Sequence, residues 1–522
     1  MAEIKNENSI DKNGNFINIL MSIYVILISA GVPLVFHNKY FDILTTKYYY
    51  YCTCTIIMTT ILISIQVTKL DKVNRSSFKN RNKGILKSLT WADYSVILFY
   101  TIAFISTFTS DYVYESFWGN EGRFTGLFLI SWYVISYFCI SRFWKFSYKY
   151  IDIIVFSGVL VCIFGITDYF NLDILNFKGT MIDSQRDIFT STIGNINTYT
   201  AYVGIIAAIS SVLFSIERKL KKMFFYFFSM VISFFAIIMG VSDNAYLSLG
   251  SLFAFLPLYL FKNNNGIKKY LIVISTFLTV IQMIGWINNN FGDQVLGLDS
   301  SFELLIAIKE LSFLTIILWL VVLIWYMIDH LKYKEVIYYG NNLVYLWLVL
   351  LMIIFMGILY ALYDCNFNGN SGKYGVLSTY LLFNDEWGTH RGYIWRNAME
   401  CYLDMPWWKK FIGFGPETFG ILILQKTANN PYNEVFDSAH NEYLHLLTTV
   451  GFLGLISYLS FVIGVIVRGI KYHINKPYIV AVLFGVVCYS VQAFVNLNLP
   501  IVTPIFWVLL AIGSTKCLDK ES

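Results

Sequence analysis

Apolar runs recur along this chain, separated by short polar breaks. Fourteen stand out: Phe16–Phe36, Tyr48–Val67, Trp91–Phe108, Gly126–Phe143, Ile151–Phe170, Tyr199–Ile216, Met223–Val241, Tyr246–Phe261, Tyr270–Ile287, Leu311–Ile328, Leu343–Leu362, Val450–Val467, Tyr478–Phe494 and Ile501–Ile512. About 20 apolar residues in helical form span the ~30 Å hydrocarbon core of a bilayer. Helix is the form that satisfies each segment's own backbone there. The pattern predicts an all-α polytopic membrane protein, with residues 1–522 forming one integral membrane domain. The last run is short, and the runs at 223–241 and 246–261 are split only by a tight turn, so the expected number of helices is 12 to 14.

One long stretch breaks this pattern and cannot lie in lipid. It runs from Trp387 to Leu455 and reads WGTHRGYIWRNAMECYLDMPWWKKFIGFGPETFG, a polar insert, then DSAHNEYLHLLTTVGFLGL. It carries arginines, histidines, glycine turns and aromatics. Charge gives the orientation. With both termini cytoplasmic, inner segments hold 26 of the 38 Lys and Arg, seven of them between Lys69 and Lys87, and half of the remainder lie in the large loop. The positive-inside rule therefore predicts that the loop over residues 363–440 faces outward. A shorter outer segment, Asn288–Glu310, contains SSFELLIAIKEL. There Ser300 and Glu303 fit a capping box, and Phe302, Leu305 and Ile308 share a helix face. The expected form is a short surface helix or an extension of the next span.

Composition agrees with a membrane protein: 57% hydrophobic, 14% charged, net charge +5. That excess fits basic cytoplasmic loops rather than a nucleic-acid surface. The first 14 residues are polar and no small-residue cleavage site follows the first run, which reads as a retained helix. Richness in Ile, Asn, Lys, Phe and Tyr suggests an AT-rich bacterial genome. Of the eight cysteines, Cys365 and Cys401 fall in the large loop, as a disulfide or as two free thiols, and Cys52 with Cys54 lacks the second pair of a zinc site.

Several loop residues carry candidate chemistry. Asp437 or Ser438 reads as an N-cap before Tyr443, Leu444 and Leu447, with that helix continuing into the span Val450–Val467. His440 then sits in a first helical turn, where the positive end of the dipole disfavours imidazolium. A neutral imidazole there either accepts a proton from a hydroxyl or serves as a structural hydrogen-bonding partner. HNEYLH has the wrong spacing for a zinc protease, since His440 and His445 are five apart. Arg391 and Arg396 lie on an expected amphipathic helix ending before Pro406, with Arg391, Trp395 and Met399 on one side. Arg123, in GNEGRFTGL, and Arg186, in MIDSQRDIF, are further outward arginines. A guanidinium fork suits phosphate, or else stacks at the membrane interface. Gly413, Gly415 and Pro416 read as a turn cluster without the Lys-Ser/Thr of a phosphate loop. Asp385 and Glu386 read as solvated acids, and no metal site is implied. Asp168 and Gln282 lie near span ends, with no chain of buried charges through the spans of the kind a proton-coupled transporter uses.

The pattern WGTHRGYIW, P, GFGPETF, AHNEYLHLL, GFLGL resembles the O-antigen ligase and polymerase family, and GRFTGL with STIGNINTYTAY resembles its N-terminal half. The resemblance implies a GT-C-like fold with a large extracytoplasmic loop before a few closing spans. It implies a metal-independent, cofactor-free glycosyltransferase of the bacterial cytoplasmic membrane, moving a glycan with inversion from an undecaprenyl-pyrophosphate-linked donor to an acceptor hydroxyl on a glycan, lipid or wall component. His440 and Arg391 take the catalytic positions. Arg396, Arg123, Arg186, Asn195, Asn441 and Trp395 form the expected substrate-binding set. Where family members often carry Ser-Arg, this chain reads SDNAYLSLG, with Asp243 and Asn244. Partners implied are the bilayer and members of a glycan-export complex. The alternatives are a glycan-lipid flippase and, within the enzyme class, a protein O-oligosaccharyltransferase; a membrane scaffold would leave the Arg/His cluster unexplained.

Overall fold

The computed structural model describes residues 2–70, 89–120, 122–298, 300–331, 336–473 and 476–515. The cation-rich stretch Lys69–Lys87 falls almost wholly outside them, as does Cys517, and the proposed capping side chain of Ser300 is also outside what is described.

Each predicted apolar run lies in a helix. In chain order these are α1 (Gly14–Leu34), α2 (Ile43–Leu70), α3 (Trp91–Phe108), α4 (Leu127–Phe143), α5 (Lys149–Tyr169), α6 (Ile196–Ile216), α7 (Leu220–Met239), α8 (Ala245–Leu260), α9 (Asn264–Phe291), α10 (Lys309–Leu331) and α11 (Asn342–Asn366). The loop segment follows with α12 (Trp387–Asp404), α13 (Trp407–Ile412), α14 (Phe419–Thr427) and α15 (Glu442–Thr449), and the chain closes with α16 (Gly451–His473), α17 (Pro477–Gln492) and α18 (Thr503–Gly513). The protein is a multi-pass membrane protein, mostly helix, with a two-residue β-pair joining Phe189–Thr190 to Gly194–Asn195.

Among the described residues, the expected fourteen spans resolve into eleven helices long and apolar enough to cross a membrane and three shorter apolar ones, α4, α8 and α18, of 17, 16 and 11 residues. At 1.5 Å per residue α18 reaches only about 16 Å. All of its residues are buried, so it packs as a half-length helix inside the bundle.

Helix α6 forms the centre, with 94% of its apolar window buried. Its small residues admit close neighbours. A Cβ placed on Gly204 would stand 2.5 Å from Ser248 Oγ of α8, the tight approach that small residues allow where helices pack in a membrane. By contrast only 6% of α11's window and 17% of α10's are buried, so these two form an apolar rim. Lys47 is fully buried on α2. Its Nζ donates to the carbonyls of Val32, Pro33 and Val35 at 2.6, 3.0 and 3.0 Å, capping the end of α1. The spans hold other buried ionic groups, Asp93 with Arg142 and Lys268 with Asp329, as isolated pairs.

Two local expectations change. Ser300–Ala307 is a separate short helix, and Phe302 is fully buried against Tyr246, ring centroids 4.5 Å apart, while Ile308 is exposed. That helix buries into protein instead of lying on lipid. Helix α15 also does not run into α16. Gly451 breaks it at φ +78°, and a Cβ there would come 2.4 Å from Phe411 O, so only glycine lets α13 pack against the junction.

Candidate functional site

The loop segment packs on one end of the bundle, beside the C-terminal end of α3, with Arg391 near Asp243 just before α8. Ser106 of α3 donates to Thr449 O at 3.0 Å and Ser110 to Phe414 O at 2.7 Å. Gly413 and Gly415, at φ +88° and +131°, let Phe414 N and Gly415 N pair with Thr448 O and Thr449 O. The glycine cluster is thus a turn that clamps α15 to the bundle.

Arg391 leaves the first true turn of α12. Three left-handed residues precede it: Gly388, Thr389 and His390, at φ +62°, +58° and +65°. A β-branched residue in that region is strained by about 1–3 kcal/mol, so packing holds the turn. Gly392 contributes, because a Cβ there would sit 1.8 Å from Asn384 O. The His390 ring stacks on Tyr432 at 3.7 Å. Five residues apart on the regular helix that begins at Arg391, Arg391 and Arg396 lie in different surroundings. Arg391 folds back over Gly388 and is half-buried; among the described residues its guanidinium has no hydrogen-bond partner. Burial works against its charge and Asp243 supports it.

His440 lies just outside a helix. The N-cap of α15 is Asn441, whose Oδ1 accepts from Tyr443 N and Leu444 N, both at 3.0 Å. Asp437 and Ser438 do not cap the helix as expected. Ser438 Oγ accepts from His440 N at 3.0 Å, and Asp437 turns to Arg123. His440 itself is left-handed at φ +46°. Trp395 Nε1 donates to Ala439 O at 2.8 Å, fixing the peptide just before the histidine. Burial, then the charges of Arg391 and Arg123, lower the imidazole to about 4 against the pull of Asp437. His440 is therefore neutral near pH 7, through burial and like charge and not through a helix dipole.

Residues 300–459 match the O-antigen ligase family model. This stretch supports the O-antigen ligase and polymerase family. No curated protein matches the chain. The O-antigen ligase match takes in Arg391, Trp395, Arg396, His440 and Asn441, while Arg123, Arg186, Asn195 and Asp243 lie before it.

The other residues expected to bind substrate are already engaged. Arg123 Nε and Nη2 donate to the two Asp437 oxygens at 3.2 and 2.5 Å, with Glu417 Oε1 4.0 Å away. Burial pushes Asp437 up, and Arg123 more than offsets it, leaving the carboxyl below its usual range. Arg396 forks onto Asp385 at 3.0 and 2.8 Å and reaches Glu400 at 3.3 Å. Arg186 pairs with Asp183 at 3.0 Å on its own short helix. Asn195 caps α6, accepting from Asn197 N at 2.9 Å. Asp243 accepts from Tyr380 OH at 3.2 Å. Cys365 and Cys401 are free buried thiols.

Two buried carboxyls escaped the sequence reading. Glu417, left-handed at φ +57°, accepts from Thr125 and lies 3.6 Å from His445 Nε2. Burial raises it, but His445, Arg123 and Thr125 together hold it low. Glu442, in the first turn of α15, accepts from Tyr458 OH at 2.6 Å and Asn498 Nδ2 at 3.2 Å, and burial raises it. Both line an enclosed cavity of about 50 Å³ beside Asn441 and His445, room for water and not for a sugar. Asn441 also borders a wider cleft of about 470 Å³ with Trp395, Phe383 and Phe494. Glu442 lies between His440 and His445 in sequence, while nothing beside Glu417 marked it.

Proposed function

We propose that the protein transfers or polymerises a glycan from an undecaprenyl-pyrophosphate-linked donor to an acceptor hydroxyl at the outer face of the bacterial cytoplasmic membrane. The observation that carries this reading is the pairing of a neutral, half-buried His440 with an Arg391 guanidinium that no carboxylate has claimed by hydrogen bond. The first is a base at neutral pH, and the second is a ready cation for a phosphate. The O-antigen ligase match over this stretch supports the same chemistry class.

In the step envisaged, the acceptor O–H bond breaks and its proton passes to the free imidazole nitrogen of His440. The acceptor oxygen bonds to the anomeric carbon as that carbon's bond to the diphosphate breaks, with inversion. Undecaprenyl pyrophosphate leaves as an anion whose developing charge Arg391 stabilises. Trp395 and Asn441 hold the His440 loop, and Arg123, spent on Asp437, holds it from the other side. Asp243 beside Arg391 tempers the positive field, a local difference from relatives with arginine there. Arg396, Arg186 and Asn195 are held in pairings of their own, so anion binding is assigned to Arg391. The outward placement of this end rests on the segregation of Lys and Arg.

The test is reconstitution. Purified protein in proteoliposomes, given an undecaprenyl-pyrophosphate-linked oligosaccharide and acceptor, should release undecaprenyl pyrophosphate and form product of inverted anomeric configuration by NMR. His440→Ala should release none. Retained configuration would overturn the direct step, and release by His440→Ala equal to wild type would overturn the site.

A further inference from the structure

At the end of the bundle opposite His440, the α6–α7 and α8–α9 turns, the segment before α11 and the start of α17 line a cavity of about 860 Å³. That volume lies within the roughly 300–1,000 Å³ range of small-molecule sites. One wall is a bridge between chain segments: Asn263 pairs with Tyr338, and Tyr339 N donates to Lys262 O at 2.9 Å.

The lining is strongly cationic. Among the described residues, Arg218, Lys219, Lys262 and Lys269 line it, against the single carboxylate of Glu217. Glu217 is already occupied: it accepts from Arg218 N at 2.8 Å, Lys219 N at 2.9 Å and Tyr478 OH at 3.0 Å. Among the described residues none of the four cations has a carboxylate partner. Lys269 is the most telling of them. It is half-buried, and its Nζ finds only Met223 Sδ at 3.0 Å and the face of Phe214 at 4.2 Å. A lysine drawn from water is ordinarily paired.

Helix geometry adds to the side chains. Helices α7 and α17 both begin in this wall, and neither has a side chain capping its first turn. Uncapped first-turn N–H groups and the positive end of the dipole favour an anion. The positive-inside rule accounts for cations at this end in general. It does not account for four of them, without a carboxylate partner among the described residues, around one cavity.

We propose that this cavity binds a phosphate-bearing anion, held by Arg218, Lys219, Lys262 and Lys269. The ligand is either the headgroup of an anionic phospholipid or a soluble phosphate compound, which share this chemistry. The inference is independent of the reaction at His440.

The full-length protein in nanodiscs decides it, with two probes: inorganic pyrophosphate by equilibrium binding, and phosphatidylglycerol against phosphatidylcholine by retention in native mass spectrometry. Wild type should bind one probe, and R218Q/K262Q/K269Q should bind it at least tenfold more weakly. Lys145→Gln, a cation at the same end outside the cavity, should bind as wild type. Pyrophosphate binding marks a soluble ligand, and selective phosphatidylglycerol retention marks a lipid. If the triple variant does not fold, Lys269→Gln alone should weaken binding at least threefold. Binding of neither probe, undiminished binding by the variants, or an equal loss in Lys145→Gln would overturn the proposal.

Discussion

Arg123 grips both carboxylate oxygens of Asp437 at 3.2 and 2.5 Å, joining the loop after α3 to the residue three positions before His440. The guanidinium is 10% exposed while the carboxylate is 46% exposed, so the pair is anchored from the bundle side. Asp437→Asn removes one charge and leaves Arg123 beside Glu417 alone. Because the carboxylate is half-exposed, the expected stability loss is modest, about 1–2 kcal/mol, below the value for a fully buried pair. Turnover should fall more, roughly 10- to 100-fold, since small misplacements of a base are costly. Thermal midpoint and turnover measured on the same preparation check this, and a loss of stability without loss of turnover would contradict it.

Trp395 acts on the same loop from the other side through its bond to Ala439 O. Trp395→Phe keeps an aromatic ring and deletes that one donor, a change of about 1 kcal/mol. The expected outcome is lower kcat at little-changed KM, because the ring still lines the cleft. A rise in KM at unchanged kcat would instead make Trp395 a substrate contact.

His440 gives a pH signature. Its imidazole is lowered to about 4, so the neutral base persists until the pH falls through that value. The acidic limb of kcat/KM should therefore lie near 4 and not near the ordinary ~6.5. Arg391→Gln removes a neighbouring positive charge, so its residual activity should show that limb moved upward. For stability the sign is this: the unfolded histidine takes up its proton first, so the fold loses stability as pH falls from about 6.5 towards 4 and gains nothing further above 6.5. An unshifted limb in both proteins would contradict the electrostatic account.

The turn at Gly451 is a steric prediction. Gly451→Ala places a Cβ 2.4 Å from Phe411 O in a left-handed backbone. The expected cost is about 1–3 kcal/mol, read as a lower thermal midpoint. Gly357→Ala, inside α11 where nothing lies within 4 Å, is the control and should not lower the midpoint.

Every apolar run and the break between Leu362 and Val450 were legible because helix in lipid follows from length and hydropathy alone. Span length was less so. α18 reads as a short run, and its burial as a half-length helix depends on neighbours that the local pattern does not contain. His440 and Arg391 were legible as residue types, yet their local setting was not. The N-cap fell to Asn441 because Asp437 is drawn to Arg123, 314 positions away in sequence. The same long-range pairing removed Arg123 from the free cations, and Asp385 removed Arg396. Glu417 and Glu442 passed unnoticed because only packing shows that both are buried beside one cavity.

The central claim is that His440 carries the transfer chemistry. The most direct measurement compares surface glycan and lipid-linked intermediates in wild type, a deletion strain and a strain expressing His440→Ala at the normal level. The account predicts that both mutants lose long polymer while short undecaprenyl-linked units accumulate. Polymer of normal length and amount from His440→Ala, with intermediates trapped only in the deletion, would contradict it.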